Sequence, residues 1–189
     1  FSITEGIIEF ASELGGIEVV TEKLGFSAYL SVPEARMAAI QTRRRNMAAR
    51  TGCGLCGAET IGQAIRTLPK VSGLKQVECQ ALVRAMANLP ALQSLNAATG
   101  ATHAAGWADR EGTVTLVRED VGRHNALDKL IGALLTQGQD TACGFVVVTS
   151  RASYEMVQKS AAAGIALLAA VSAPTGFAVR IAIESNVTL

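Results

Sequence analysis

Cys53 and Cys56 stand in R-T-G-C-G-L-C-G, residues 50–57, interleaved with Gly52, Gly54 and Gly57. Paired thiols at this spacing can hold a metal, make and break a disulfide, accept and pass on a group through one nucleophilic sulfur, or do nothing. A structural zinc site needs about four ligands. The remaining candidates, Cys79, Cys143, His103 and His124, supply no second close pair. A thioredoxin-type dithiol sits at a helix N-terminus directly after a strand, whereas this pair follows a basic helical stretch. An inert pair fits poorly with glycines that strip away neighbouring side chains and widen the backbone's choices, since accessible thiols are a liability unless used. A nucleophilic sulfur would be favoured by Arg50 and by the cluster Arg43, Arg44 and Arg45, whose charge stabilises thiolate and draws an anionic partner. The same arginines would equally suit a solvated helix face.

Two further clusters carry charge at turns from strand to helix. V-R-E-D-V-G-R-H-N-A-L-D-K, residues 117–129, offers Asp120, Arg123, His124, Asp128 and Lys129. A helix opening near Gly122 leaves free N–H groups for an anion, and Arg123, His124 and Lys129 add positive donors. The plainer reading is a capped helix with surface ion pairs. T-S-R-A-S-Y-E-M-V-Q-K, residues 149–159, offers Ser150, Arg151, Ser153 and Lys159, and V-S-A-P-T, residues 171–175, stands at the next strand end. Open α/β sheets bind ligands in the crevice at such ends, so these turns are expected to face one pocket for a phosphate-bearing or nucleotide-like ligand. His103 completes the candidate set. Neither G-x-x-x-x-G-K-[ST] nor G-x-G-x-x-G is present to specify which ligand.

The elements that must position these residues follow from pattern. Ile17–Thr21 and Phe26–Val32 predict a hairpin around Gly25, and Pro33 opens a helix over Glu34–Ala49. Residues 50–74, rich in glycine, predict a long mobile loop that carries the cysteines. Helical spacing returns over Val77–Leu95 with a break at Pro90. His103–Trp107 and Thr113–Arg118 flank the turn D-R-E-G as a second hairpin. Thereafter helix (Asn125–Leu135), strand (Phe145–Thr149), helix (Ser153–Ala163), strand (Ile165–Val171) and helix (Thr175–Glu184) alternate. That order predicts a mostly parallel sheet covered on both faces. The final V-T-L reads as the opening of a further strand.

Composition narrows the classes. The 189 residues are 49% hydrophobic, enough for a substantial core in one domain, and 17 Lys and Arg against 16 Asp and Glu leave a formal net charge of +1. No global field recruits nucleic acid or an anionic membrane, no apolar run approaches the roughly 20 residues of a membrane span, and the first residues form no secretory signal. Four cysteines in such a chain favour reduced thiols and a cytoplasmic setting over a disulfide framework.

R-T-G-C-G-L-C-G, V-R-E-D-V-G-R-H-N-A-L-D-K, S-R-A-S-Y-E-M-V-Q-K-S and A-V-S-A-P-T, in this order, closely resemble the formate dehydrogenase accessory sulfurtransferase family, over residues 1–189. The resemblance implies a bacterial cytosolic homodimer that takes sulfane sulfur from a cysteine desulfurase. It delivers that sulfur to molybdenum cofactor, the bis-guanine-dinucleotide form, for formate dehydrogenase. It also implies a cytidine-deaminase-like α/β fold, three layers with a mixed sheet and helices on both faces. The family's persulfide carrier falls on Cys53, with Cys56 in a supporting position. Zinc deaminases need H-x-E and P-C-x-x-C. Neither histidine here lies in H-x-E, and Gly52 precedes Cys53, so deamination and its zinc are rejected. Family members extend beyond both ends of this sequence, which implies a fragment of one α/β domain lacking a glycine- and basic-rich cofactor-binding stretch. Two other readings keep part of the pattern: a chaperone that binds the nucleotide cofactor, GDP-like in its recognition, without moving sulfur, and a zinc-stapled interaction domain.

Overall fold

The structure is a computed structural model that describes residues 1–43, 68–74 and 76–189. Two compact units divide the chain, Ser2–Arg66 and Phe1 together with Thr67–Leu189.

In the first unit, β1 (Gly16–Glu22) and β2 (Gly25–Ser31) pair antiparallel across a two-residue turn at Lys23 and Leu24, in the register Ile17↔Leu30, Val19↔Ala28 and Thr21↔Phe26. The period-two pattern gathers these residues on one face of the ribbon, where Ile17, Val19, Phe26 and Leu30 are exposed. Helix α1 (Glu34–Arg43) follows Pro33 as the sequence predicts, and the rest of the predicted 34–49 helix lies outside the described residues. Arg36 holds two carboxylates at once, Glu9 at 3.0 Å and Glu13 at 2.7 Å, which keeps both acids below the usual carboxylate range.

The second unit is built on a four-stranded sheet of β3 (His103–Ala108), β4 (Val114–Asp120), β5 (Phe145–Arg151) and β6 (Leu168–Ser172), in the order β4-β3-β5-β6. Strand β3 is antiparallel to both neighbours, and β5 and β6 are parallel. The predicted mostly parallel sheet is therefore a mixed one. Alternation of strand and helix specifies parallel pairing only for strands that flank a crossover helix, and β3 enters through the tight turn Asp109–Gly112. In that turn Asp109 Oδ1 accepts from the amides of Glu111 and Thr113. Gly112 has φ +83°, and a Cβ there would strike the Ala81 carbonyl.

Helix α2 (Cys79–Asn88) runs into a 3-10 turn (Leu89–Leu92) that takes Pro90 at its start, and then α3 (Ser94–Thr99) ends on Gly100 at φ 62°. Ala85 and Leu89 pack on one sheet face with Ala104, Ala108, Phe145 and Val147. Ala105, Trp107, Val146 and Val148 alternate to the other face and are buried there. Helix α4 (Arg123–Thr136) packs against β3 and β4, burying Leu127, Leu130, Ile131 and Leu134. Gly144 must lack a side chain, because its Cβ would stand 2.5 Å from both the Ala108 carbonyl and the Trp107 ring.

Helix α5 (Tyr154–Ala162) is buried from Tyr154 to Ala161, polar residues included, and α6 (Gly176–Ser185) packs against it. The expected final strand is a single parallel bridge, Leu167↔Thr188. Residues 68–74 of the expected loop have no helix or strand but are tied down, Val71 N donating to Ser185 O and Leu74 N to Ala142 O. None of the described helices is long and apolar enough to cross a membrane.

Candidate functional site

Because β3 runs against β4 and β5, and β5 runs with β6, the C-terminal ends of three strands and the start of β3 share one edge. His103 sits there paired with Asp120, and Arg151 is paired with Ser172. The helices α4 and α5 start at this edge, with Gly122 and Ser153 as their N-caps. The topology thus brings His103, Asp120, Arg123, His124, Ser150, Arg151 and Ser153 to one end of the sheet.

Asp120 ends β4 by bending the chain into α4. Its Oδ1 accepts from Gly122 N at 2.9 Å and from Asn125 Nδ2 at 3.2 Å, and its Oδ2 meets Lys129 Nζ at 2.6 Å. Burial pushes the Asp120 carboxyl up, but the hydrogen bonds from Lys129, Gly122 and Asn125 outweigh it and hold the group below its ordinary value. Lys129 also donates to Glu119 O at 3.1 Å. Asp120 and Lys129 thereby act on each other and on the helix start.

Glu119, one residue earlier, is buried and points to the other side. It accepts from Leu95 N and Asn96 N, both at 2.8 Å, and from Thr102 Oγ1 at 3.0 Å, capping the start of α3. Burial raises its carboxyl too, and these donors with Gln93 again win, leaving it below the ordinary range.

Between α4 and α5 lies a ladder of two polar rungs. His124 Nε2 is 2.7 Å from Glu155 Oε2, and Asp128 Oδ2 accepts from Lys159 Nζ at 2.8 Å. Positions 124 and 128 on one helix, and 155 and 159 on the other, each span one turn, so both rungs fall on the facing sides. Asp128 and Lys159 are 9% and 4% exposed; of the expected ligand contacts these two are spent inside, and Asp128 Oδ1 also stands 3.6 Å from the N-terminal ammonium of Phe1. Sequence reasoning missed Glu155, although the matched four-residue spacing of H-x-x-x-D and E-x-x-x-K was available as a signal.

At the end of β5, Thr149 Oγ1 accepts from Ala104 N at 2.9 Å, extending the β3–β5 pairing with a hydroxyl. Ser150 is buried and donates to Arg151 O at 3.1 Å, while Arg151 is exposed. Ala152 O accepts from Thr175 N at 3.1 Å, tying the α5 turn to the α6 turn, and Thr175 Oγ1 caps Ala178 N. Ser153 makes no such cap; its Oγ is buried without a hydrogen-bond partner among the described residues.

A hollow of about 500 Å³ flanks the edge, lined by Leu92, Leu95, Val117, Arg118 and Lys129. A larger one of about 690 Å³, with Glu78, Arg110, Leu167 and Thr188, opens at the opposite end of the sheet, away from the polar strand ends. Cys79 and Cys143 are free and exposed. Asp140 Oδ2 accepts from Cys143 Sγ at 3.0 Å and pushes that thiol above its usual range, which suits it poorly as a nucleophile. Cys53 and Cys56 lie outside the described residues.

A mixed α/β sheet with three strand ends and two helix starts converging on one polar edge defines an α/β protein whose polar edge lies where open sheets commonly bind ligands. Which α/β protein is settled by comparison. The FdhD/NarQ family matches residues 1–189, and the chain belongs to that family. It is 54% identical over 189 residues to the "Sulfur carrier protein FdhD" of Bordetella petrii, covering 100% of this chain and 68% of that protein. To the protein of the same name in Xanthomonas oryzae pv. oryzae it is 51% identical, covering 100% of this chain and 67% of the relative. In fold it is similar to a crystal structure from Desulfotalea psychrophila, of a protein assigned as a formate dehydrogenase accessory protein. The TM-score is 0.65 at 21% identity, over 99% of this chain and 67% of the other.

Proposed function

We propose that this chain is a sulfur carrier that serves formate dehydrogenase. It takes persulfide sulfur from a cysteine desulfurase and passes it to molybdenum cofactor in its bis-guanine-dinucleotide form. Membership of a family whose 51–54% identical relatives are named sulfur carriers is the observation that carries this reading. In the loading step the Cys53 thiolate attacks the terminal sulfur of the donor's persulfide. A new sulfur–sulfur bond forms on Cys53, and the donor cysteine leaves as thiolate. Cys56 supports that thiol. The strand-end edge, with His103, Asp120, Arg123, His124, Ser150, Arg151 and Ser153 at or beside it, receives the phosphate-bearing cofactor, and GDP is its simplest mimic. On this reading, which the family resemblance supports, the protein is a cytoplasmic homodimeric sulfurtransferase with a cytidine-deaminase-like sheet, and the free, exposed Cys79 and Cys143 accord with a reducing compartment.

Incubation with a desulfurase and cysteine, followed by peptide mass spectrometry, tests the central step. The Cys53 peptide should gain the mass of one sulfur atom, and Cys53→Ala should abolish both that gain and the restoration of formate dehydrogenase activity in a deletion strain. A Cys53→Ala protein that still restored activity would leave only the cofactor-binding role.

A further inference from the structure

We infer that His124 contacts a phosphate group of the edge ligand and that Glu155 is the positioning residue that orients it, with Ser153 Oγ as a second donor to the same group. The inference rests on the strand-end edge being the ligand site and adds to it the atoms that would recognise the ligand.

Glu155 is the second residue of α5 and is 6% exposed. Burying a carboxylate is costly unless a partner meets it, and His124, the second residue of α4, stands 2.7 Å away. The histidine Nε2 is buried against that carboxylate, 2.7 Å from Glu155 Oε2. Yet a quarter of the His124 side chain is open to solvent. With Nε2 turned inward against Glu155, the other side of the ring, bearing Nδ1, is what remains to meet a ligand.

The helix starts point the same way. Ser153 belongs to a residue type that commonly caps helices, and its extended backbone (φ −88°, ψ 163°) places the side chain beside the first-turn amides. Its Oγ nonetheless accepts nothing from them and is buried without a hydrogen-bond partner among the described residues. Gly122 leaves α4 without a side-chain cap as well, whereas α6 is capped by Thr175. The starts of α4 and α5, helices of fourteen and nine residues, therefore bring the positive ends of their dipoles to the pair. Nearby, Asp120 pairs with Lys129 and Asp128 with Lys159, while Arg123 and Arg151 are cationic residues of the same edge. An oxyanion fits this arrangement better than a cation or an apolar group.

Titration calorimetry of the full chain with GDP, and with guanosine as the phosphate-free arm, tests the inference. His124→Gln and Glu155→Gln should each raise the Kd for GDP about tenfold, with Ser153→Ala a few-fold, while guanosine binding stays the same. If Glu155 acts through His124, the double variant should bind GDP no worse than His124→Gln alone. Losses that multiply in the double variant, or a Glu155→Gln protein that melts lower yet binds GDP normally, would overturn the positioning role. Should Glu155→Gln fail to fold, an unchanged Kd in both His124→Gln and Ser153→Ala would overturn the contacts. A wild-type protein that binds neither GDP nor guanosine would bring down the ligand edge itself, whereas unaltered GDP binding in every variant sinks only this assignment.

Discussion

Replacing Lys159 by Met should remove the charge of the inner rung while keeping most of the side chain's volume. Asp128 would then remain 9% exposed, facing an apolar thioether where an ammonium stood 2.8 Å away, with the exposed N-terminal ammonium of Phe1 still 3.6 Å from its Oδ1. Removing one member of a buried pair costs about 3–5 kcal/mol, of which an exposed ammonium such as that of Phe1 offsets about 1 kcal/mol or less. For a chain of this size each kcal/mol moves the melting temperature by roughly 2–4 °C, so a fall of about 10 °C is expected. The single tryptophan, Trp107 on β3, is 3% exposed and provides the fluorescence signal for urea and thermal unfolding of the unit that holds the pair. The double variant Asp128→Leu with Lys159→Met removes both charges and should recover most of the loss, since apolar replacement of a whole buried pair is commonly neutral or better. A single-variant loss below about 1 kcal/mol, the scale of an exposed ion pair, would refute the burial argument. So would a double variant whose loss equals the sum of the two single ones.

Two further outcomes follow from neighbouring groups. Donated hydrogen bonds hold the Glu119 carboxyl below its ordinary 4.5 in the folded state, so its contribution to stability is present above that pH and is lost as pH falls through the lower folded value. Glu119→Gln should therefore flatten the acid limb of the urea midpoint between pH 5 and pH 3, and an unchanged slope would mean the α3 cap contributes nothing. Asp140→Asn removes the acceptor that raises the Cys143 thiol, and Cys143 should then alkylate faster with iodoacetamide at pH 8. Cys79 serves as the internal reference on the same peptide map, and an equal rate before and after the substitution would contradict the role of Asp140.

Much of the fold is legible in the sequence because local chemistry specifies it. The alternation of apolar residues and the D-R-E-G turn define the β3–β4 hairpin, and Pro90 marks where α2 gives way to a 3-10 turn. Helix α3 is not legible: S-L-N-A-A-T is short and weakly patterned, and its start depends on the Glu119 carboxylate, which is 24 residues away from Leu95. The orientation of β3 relative to β5 is likewise set by tertiary packing and not by periodicity. At the candidate site the sequence shows which residues are polar and near strand ends, but not which of them neutralise one another. Asp128 and Lys159 look like ligand contacts until α4 and α5 are seen face to face, and Glu155 looks like an ordinary first-turn acid until His124 is found beside it. The hairpin in the other unit shows the converse. The hairpin is legible from Ile17–Thr21 and Phe26–Val32, although its turn falls at Lys23 and Leu24 and not at Gly25, and nothing in that pattern says that its apolar face is exposed.

The strand order β4-β3-β5-β6 also sets a timetable for synthesis. Cys53 and Cys56 precede every residue of the strand-end edge in the chain, and the earliest edge residue is His103. On the ribosome the hairpin of β3 and β4 can close by itself, but Arg151 and Ser153 reach the edge only after α4 has crossed over and β5 has paired on the far side of β3. A growing chain thus displays its cysteine pair for some fifty residues of elongation before any part of the edge exists. Thiol capping during translation, or premature sulfur loading, would act on a protein that does not yet possess the edge.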